Sequence, residues 1–214
     1  MLGELQKHLA GIYQADCGQR IADYLITDRA IAASIGAQDI HESIEETVLV
    51  AQDGAGLAVS VYLDKALLSR LARGNPLQHL KPRQLRDLSV VLEGLSHFNY
   101  LGWCAGQDKS VTLLELELQA EVDKFVATRL LAHEQNKPEI TRMLHHWLFG
   151  DVSFHPSLNA DERHRYETAS DYAARFCRYL GQRMDDGFGM QELRHFYRLT
   201  QSEKISHIHS RVWN

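Results

Sequence analysis

The stretch RQLRDLSVVLEGLSHFNYLGWCAGQDKSVTLLELELQAEVDKFVATRLLAHE, residues 83–134, decides the fold of this chain. It contains two long helical patterns joined by a short link, and each pattern predicts a helix. The second pattern opens at Thr112, which together with Glu115 predicts a capping box at the helix start. Because the link is short, we expect the two helices to pack as an antiparallel hairpin over about 83–134. The apolar stripe of the first helix includes Leu88, Val91, Leu92 and Leu95.

A second signal lies at about 46–63, where two β-branched apolar runs flank the sequence DGAG at 53–56. Runs of this kind around a Gly-containing turn predict a β-hairpin. In the second run the alternation is regular, with Leu57, Val59, Val61 and Leu63 on one face. A lone hairpin is marginally stable in water, so we expect this one to pack on the helices.

Helical spacing of apolar residues also occurs at 3–15, at 19–35 and over most of the chain after residue 134. The expected fold class is therefore mainly α: a helical bundle with one long helical hairpin and one β-hairpin packed on it. A chain of 214 residues fits one domain, 1–214, and the Pro-containing loop near 74–82 is the weak boundary within it.

Composition limits the class of protein. The net charge of -5 argues against nucleic-acid binding by the whole surface. The first residues carry charges among the apolar ones, so we expect neither a signal peptide nor contact with a membrane. The cysteines, Cys17, Cys104 and Cys177, are far apart and form no Cys-x-x-Cys pair. We therefore expect reduced thiols and a cytoplasmic protein.

The best candidate for chemistry is a set of polar residues on the two long helices. Glu93 and His97 are four residues apart and share a face, as do Glu117 and Glu121. When the hairpin closes near residue 107, His97 comes level with Glu117 and Glu93 with Glu121. Carboxylates and an imidazole at matching heights are the ligands of a divalent metal ion inside a helical bundle.

Two other interpretations of these residues stay open. His97 could bond to Glu117 in a half-buried network, with Lys124 or Arg86 neutralising the remaining charge, or the side chains could be solvent-exposed. The Glu-x-x-His pairs of di-iron bundles are absent, because the pair here has the spacing Glu93-x-x-x-His97.

Charge is unevenly distributed next to the β-hairpin. Residues 39–64 contain six carboxylates and no Lys or Arg, and residues 65–86 contain six Lys or Arg and no carboxylate. The basic block could bind an anionic partner, or the two blocks could neutralise each other. The block lacks aromatic residues for stacking on bases, so a protein partner is expected rather than a nucleic acid. The candidate residues are Lys65, Arg70, Arg73, Lys81, Arg83 and Arg86.

A second candidate surface lies on a later helix, where Tyr172, Arg175 and Tyr179 recur at helical spacing. Tyr and Arg side chains are frequent anchors of protein interfaces. The motifs of nucleotide-binding loops, α/β-hydrolases, kinases and HExxH metalloproteases are all absent. The sequence therefore favours a non-catalytic adaptor or regulatory protein that binds another protein or itself as a homo-oligomer. A metal-dependent enzyme and a nucleic-acid-associated protein that uses residues 65–86 are the alternatives.

Overall fold

The computed structural model describes most of the chain. The described residues are 1–36, 40–53, 56–150, 152–153, 156, 158–184 and 188–212. They form nine α-helices and a three-stranded sheet, which confirms the predicted mainly α class. The strands are β1 (Leu25–Ile26), β2 (Glu46–Asp53) and β3 (Gly56–Leu63). The helices are α1 (Leu2–Tyr13), α2 (Arg29–Gly36), α3 (Lys65–Gly74), α4 (Leu85–Gly106), α5 (Leu113–Glu134), α6 (Pro138–Phe149), α7 (Ala160–Gly181), α8 (Phe188–Arg198) and α9 (Gln201–Val212).

The predicted helical hairpin is confirmed as α4 and α5, each of 22 residues. Thr112 caps α5, because its hydroxyl accepts a hydrogen bond of 3.1 Å from the backbone N–H of Glu115. The Glu115 carboxylate does not complete the expected capping box. It turns inward and accepts hydrogen bonds from Lys109 and Tyr100. Water can satisfy the exposed N–H groups at the start of the helix, whereas donors inside the protein need a protein acceptor.

The predicted β-hairpin is also confirmed. β2 and β3 pair antiparallel from Glu46 opposite Leu63 to Asp53 opposite Gly56. Two residues of the predicted turn, Gly54 and Ala55, lie outside the described residues. The hairpin packs on α4 at Gly94, where an added Cβ would lie 3.1 Å from Glu46 Cγ and 3.2 Å from Leu63 Cδ2. The lack of a side chain at this position lets the sheet approach the helix closely.

The prediction of a single helix over 19–35 was wrong. This segment contains a short 3-10 turn, then β1, then α2. β1 pairs parallel with β3, and the Val61 N–H donates to the carbonyl of Tyr24. Asp28 then accepts hydrogen bonds from the first N–H groups of α2. Pairing with β3 and the Asp28 cap therefore determine the structure of this segment. Its apolar pattern is too short to distinguish a single helix from a strand followed by a helix.

α5 is the central helix, because it packs against α4, α6 and α7 and also contacts α1. It is consequently buried nearly all round, including its polar residues Glu115, Glu117, Gln119, Asp123, Lys124 and Thr128. Buried polar groups are costly unless they find partners, so the partners of these side chains locate the candidate sites.

One continuous apolar cluster runs from Leu5 in α1 to Ile208 in α9. It includes Leu71 and Leu80, so apolar packing continues across the predicted weak boundary near 74–82. Among the described helices, none is both long enough and apolar enough to span a membrane.

Candidate metal centre

The candidate metal centre lies between α4, α5 and the start of β2. Nε2 of His97 is 3.5 Å from Oε2 of Glu117, across the helical hairpin. On the other side of the ring, Nδ1 of His97 is 3.6 Å from Oε1 of Glu46. The closed hairpin therefore brings His97 level with Glu117, as the sequence predicted.

These separations are longer than ordinary hydrogen bonds, which cluster at about 2.9–3.0 Å between N and O. His97 Nε2 and Glu46 Oε1 are both buried and have no hydrogen-bond partner among the described residues. Two ligand atoms that share one ion at about 2.1 Å are themselves roughly 3.0–3.5 Å apart. The separation between His97 and Glu117 thus fits two ligands of one metal ion better than a hydrogen bond.

Glu93 completes a group of three possible ligands. One ligand atom each from Glu93, His97 and Glu117 lie within 4.8 Å of one another. Glu93 and His97 come from successive turns of α4, and Glu117 comes from the facing side of α5. Carboxylate and imidazole ligands suit iron, manganese or zinc.

Glu46 was not foreseen as part of the site. It stands at the first position of β2, and it reaches His97 because the hairpin lies close over Gly94. A carboxylate that holds the second ring nitrogen of a ligand histidine fixes the orientation of the ring. An acidic residue at the start of a strand was the available signal, and sequence alone could not show which helix the strand covers.

The fourth predicted ligand, Glu121, has a different partner. Its Oε1 is 2.7 Å from Nζ of Lys124, and the same ammonium is 3.2 Å from Oε2 of Glu93. Both contacts match the network interpretation, in which Lys124 neutralises part of the charge. The structure brings Glu93, His97 and Glu117 together and places Glu121 against the lysine.

The electrostatics of the centre favour positive charge. Burial lowers the pKa of His97, but Glu117 and Glu46 outweigh burial and raise this pKa to about 10. Burial raises the pKa of Glu46, and His97 opposes that rise. Burial also raises the pKa of Glu93, but Lys124 and His97 outweigh it and the net pKa is lowered. Without a metal ion, a protonated His97 therefore supplies the positive charge between the carboxylates.

A second buried polar cluster lies further along α5 and was not predicted. Asp123 accepts hydrogen bonds from Ser96 at 2.6 Å, from Gln119 at 2.7 Å and from the Tyr13 hydroxyl. Gln119 in turn accepts a hydrogen bond of 2.5 Å from Nζ of Lys204. The cluster joins α1, α4, α5 and α9 in the centre of the molecule.

Lys204 is fully buried among aromatic rings. Its Nζ lies 4.5 Å from the ring centroid of Phe196 and 4.7 Å from that of Tyr100. Burial, the largest influence, lowers the pKa of Lys204 to about 7, and Glu115 and Asp123 oppose it. The ring contacts and the Gln119 amide oxygen replace the water around this ammonium. They compensate only partly for the loss of hydration of its charge.

The basic block is partly neutralised within the chain. Arg70 lies 2.6 Å from Glu45 and 2.9 Å from Asp87, and Arg86 lies 2.8 Å from Glu45. For these two arginines the structure matches the expected mutual neutralisation. The other four residues of the block are exposed: Lys65, Arg73, Lys81 and Arg83.

The aromatic–basic surface of α7 is half-buried and already makes internal contacts. The ring of Tyr172 meets that of His209 at 5.7 Å, and the guanidinium of Arg175 lies 6.0 Å from the Tyr172 ring. The guanidinium of Arg183 lies 4.7 Å from the ring of Tyr179. These contacts occupy part of the surface that was expected to bind a partner.

Comparisons of the chain with protein-family models, with curated proteins and with solved structures give no match.

Proposed function

We propose that this chain is a metal-dependent enzyme that binds a divalent ion through Glu93, His97 and Glu117. The single observation that carries the proposal is the position of His97 Nε2. This nitrogen is buried, lies 3.5 Å from a carboxylate oxygen and makes no hydrogen bond within the part of the chain that the structure describes. A buried nitrogen without a partner is costly, and a metal ion between His97 and the two carboxylates would remove that cost.

The charge balance of the cluster also supports a cation. Four carboxylates, Glu46, Glu93, Glu117 and Glu121, surround His97 and Lys124. Even a protonated imidazole and an ammonium leave these carboxylates in excess. A buried excess of carboxylates over cations is unfavourable, so a divalent ion would stabilise the site.

Each residue has a distinct role in this proposal. Glu46 Oε1 faces Nδ1 of His97 at 3.6 Å and leaves Nε2 for the ion, while α4 and α5 would hold the three ligands on rigid elements. A bound divalent ion would act as a Lewis acid or activate a water molecule. The side chain of Glu93, with 26% of its surface exposed, is the most accessible of the three ligands and marks the side from which a substrate would approach.

The adaptor and nucleic-acid functions stay predictions. Internal ion pairs engage Arg70 and Arg86, and ring contacts engage Tyr172 and Tyr179, so less of each surface is available to a partner. The metal centre has the more specific support, because it accounts for a buried atom without a partner.

Metal titration tests the proposal. Untagged protein is treated with a chelator, dialysed and titrated with Co²⁺, whose visible absorption reports its ligands, and the bound metal is counted by plasma mass spectrometry. We expect one ion per chain in the wild type, none in His97→Gln and one in His164→Gln, a control on the exposed face of α7. A folded wild type that retains neither Co²⁺, Mn²⁺ nor Zn²⁺ would leave the buried ion-pair network as the explanation.

A further inference from the structure

Lys124 lies beside the three candidate ligands and shares one of them. Its Nζ contacts Oε2 of Glu93 at 3.2 Å and Oε1 of Glu121 at 2.7 Å. Glu93 therefore faces the metal ligands His97 and Glu117 and also faces the ammonium. With 10% of its side chain exposed, Lys124 has little water to replace these carboxylates.

A carboxylate shared between two neighbouring cations is the arrangement of a two-metal site, in which the ions are about 3.5–4 Å apart. Helical bundles build such sites from glutamates on facing helices. Here the first cation position is framed by Glu93, His97 and Glu117, and the second by Glu93 and Glu121. The second position contains the ammonium of the chain itself.

We propose that Lys124 occupies the second cation position of this cluster and thereby limits the chain to one metal ion. The inference rests on the proposed function, since it assumes an ion at the first position. Glu121 then serves Lys124 and is not a ligand of the ion. Lys124 is a specificity-determining residue, because it sets the number of metal ions and so restricts the chemistry to that of one metal.

Two properties of lysine support this role. An ammonium is a compact single charge with three donors, so it can bind two carboxylates without the short contacts that a metal ion demands. It is also covalently attached and always present, whereas a second divalent ion would have to be captured from solution. A buried pair of carboxylates without Lys124 would carry uncompensated charge, which is the condition under which a second ion binds.

The test is the number of ions per chain after the change Lys124→Met. The chelator-treated variant and wild type are loaded with excess Mn²⁺, freed of unbound metal by gel filtration and analysed for manganese per chain. We expect one ion in the wild type and two in Lys124→Met, and electron paramagnetic resonance at low temperature should show a spin-coupled pair only in the variant. A folded Lys124→Met protein with one ion or none would overturn the inference.

A second variant covers the case in which Lys124→Met does not fold. Glu121→Gln keeps the contact between the Lys124 ammonium and Glu93, and it removes the second carboxylate that contacts this ammonium. We expect one ion and a Mn²⁺ affinity that falls by less than about tenfold in this variant, since a carboxylate that is not a ligand of the ion contributes only through its charge. A loss of more than about tenfold, the scale of removing a group that supports the metal, would make Glu121 a functional part of the ion site and overturn the assignment.

The two proposals fail in different ways. A wild type that binds no ion refutes the metal centre itself, and Lys124 is then only part of the ion-pair network. A wild type that binds one ion supports the centre, and the counts for Lys124→Met and Glu121→Gln then decide the role of the lysine. A wild type with two ions would support the centre and contradict the lysine proposal.

Discussion

His97 and Glu117 lie on opposite arms of one helical hairpin, and their facing atoms, Nε2 and Oε2, are 3.5 Å apart. On the other side of the ring, Nδ1 of His97 faces Glu46 of the β-hairpin at 3.6 Å. The centre therefore combines a local pair of helices with one residue from a distant strand.

The change Glu46→Gln should weaken metal binding without abolishing it. Glu46 does not belong to the proposed ligand set, and loss of a carboxylate behind a ligand histidine lowers metal affinity by about 10- to 100-fold. Isothermal titration with Mn²⁺ measures the effect. Glu45→Gln is the matched control, because the neighbouring Glu45 contacts Arg70 and Arg86 instead. Equal affinities in the two variants would contradict the role of Glu46.

Adding a methyl group at Gly94 should push the β-hairpin away from α4. The new Cβ would lie 3.1 Å from Glu46 and 3.2 Å from Leu63, so Gly94→Ala should lower the free energy of unfolding by about 1–3 kcal/mol, as overpacking does. Gly106→Ala is the control, since none of the described residues has an atom within 4 Å of a Cβ there. Urea denaturation of both variants should show a loss for Gly94→Ala alone, and a neutral Gly94→Ala would disprove the close packing.

Tyr13→Phe should destabilise the protein through Asp123. The change removes one of three hydrogen-bond donors from a buried carboxylate, which costs about 1–3 kcal/mol. The control is Tyr24→Phe, because the hydroxyl of Tyr24 donates to the side chain of Gln19 at an exposed position. Urea denaturation measures the free energy of unfolding of both variants, provided that its dependence on urea concentration is unchanged. Equal losses of stability in Tyr13→Phe and Tyr24→Phe would show that burial of the Asp123 cluster does not matter.

Lys204 should make stability rise with pH. Its pKa is lowered to about 7 in the folded chain from the ordinary 10.5, so between these values the unfolded chain binds more protons at this position. Stability from this group therefore increases as the pH rises from about 7 toward 10.5, and below about pH 7 its unfavourable contribution is constant.

Comparison with Lys204→Met isolates this effect. Urea denaturation at pH 7, 8 and 9 should show that the wild type gains stability relative to Lys204→Met as the pH rises. Lys7→Met, a change at an exposed lysine of α1, should follow the wild type. Parallel pH profiles for wild type and Lys204→Met would mean that Lys204 is not the titrating group.

Strongly periodic segments were predictable from sequence. The 22-residue helices α4 and α5 are long, and the apolar stripe of α4 and the Thr112 cap of α5 define them. The segment at 19–35 was not, because its short apolar pattern also fits a strand. β1 exists only because β3 offers it a free edge, and this long-range pairing leaves no local mark in the sequence.

The candidate site follows the same division. Glu93, His97 and Glu117 could be placed together because they belong to one hairpin whose geometry the link determines. Glu46 and Lys204 could not, since each reaches its partners through tertiary packing of a separate element. The sequence predicted that Lys124 would neutralise charge in this cluster. Its position between Glu93 and Glu121 could be found only from the structure.

The short connection between α4 and α5 also bears on how the protein acquires its native state. Glu93, His97 and Glu117 are close in sequence, so forming their cluster requires closure of only a small loop, and helical hairpins with such local contacts form rapidly. The cluster of candidate ligands can thus assemble before the β-hairpin and α9 dock. An ion captured at that stage would speed refolding by bridging the two helices, and the later arrival of Glu46 would then fix the imidazole in its final orientation.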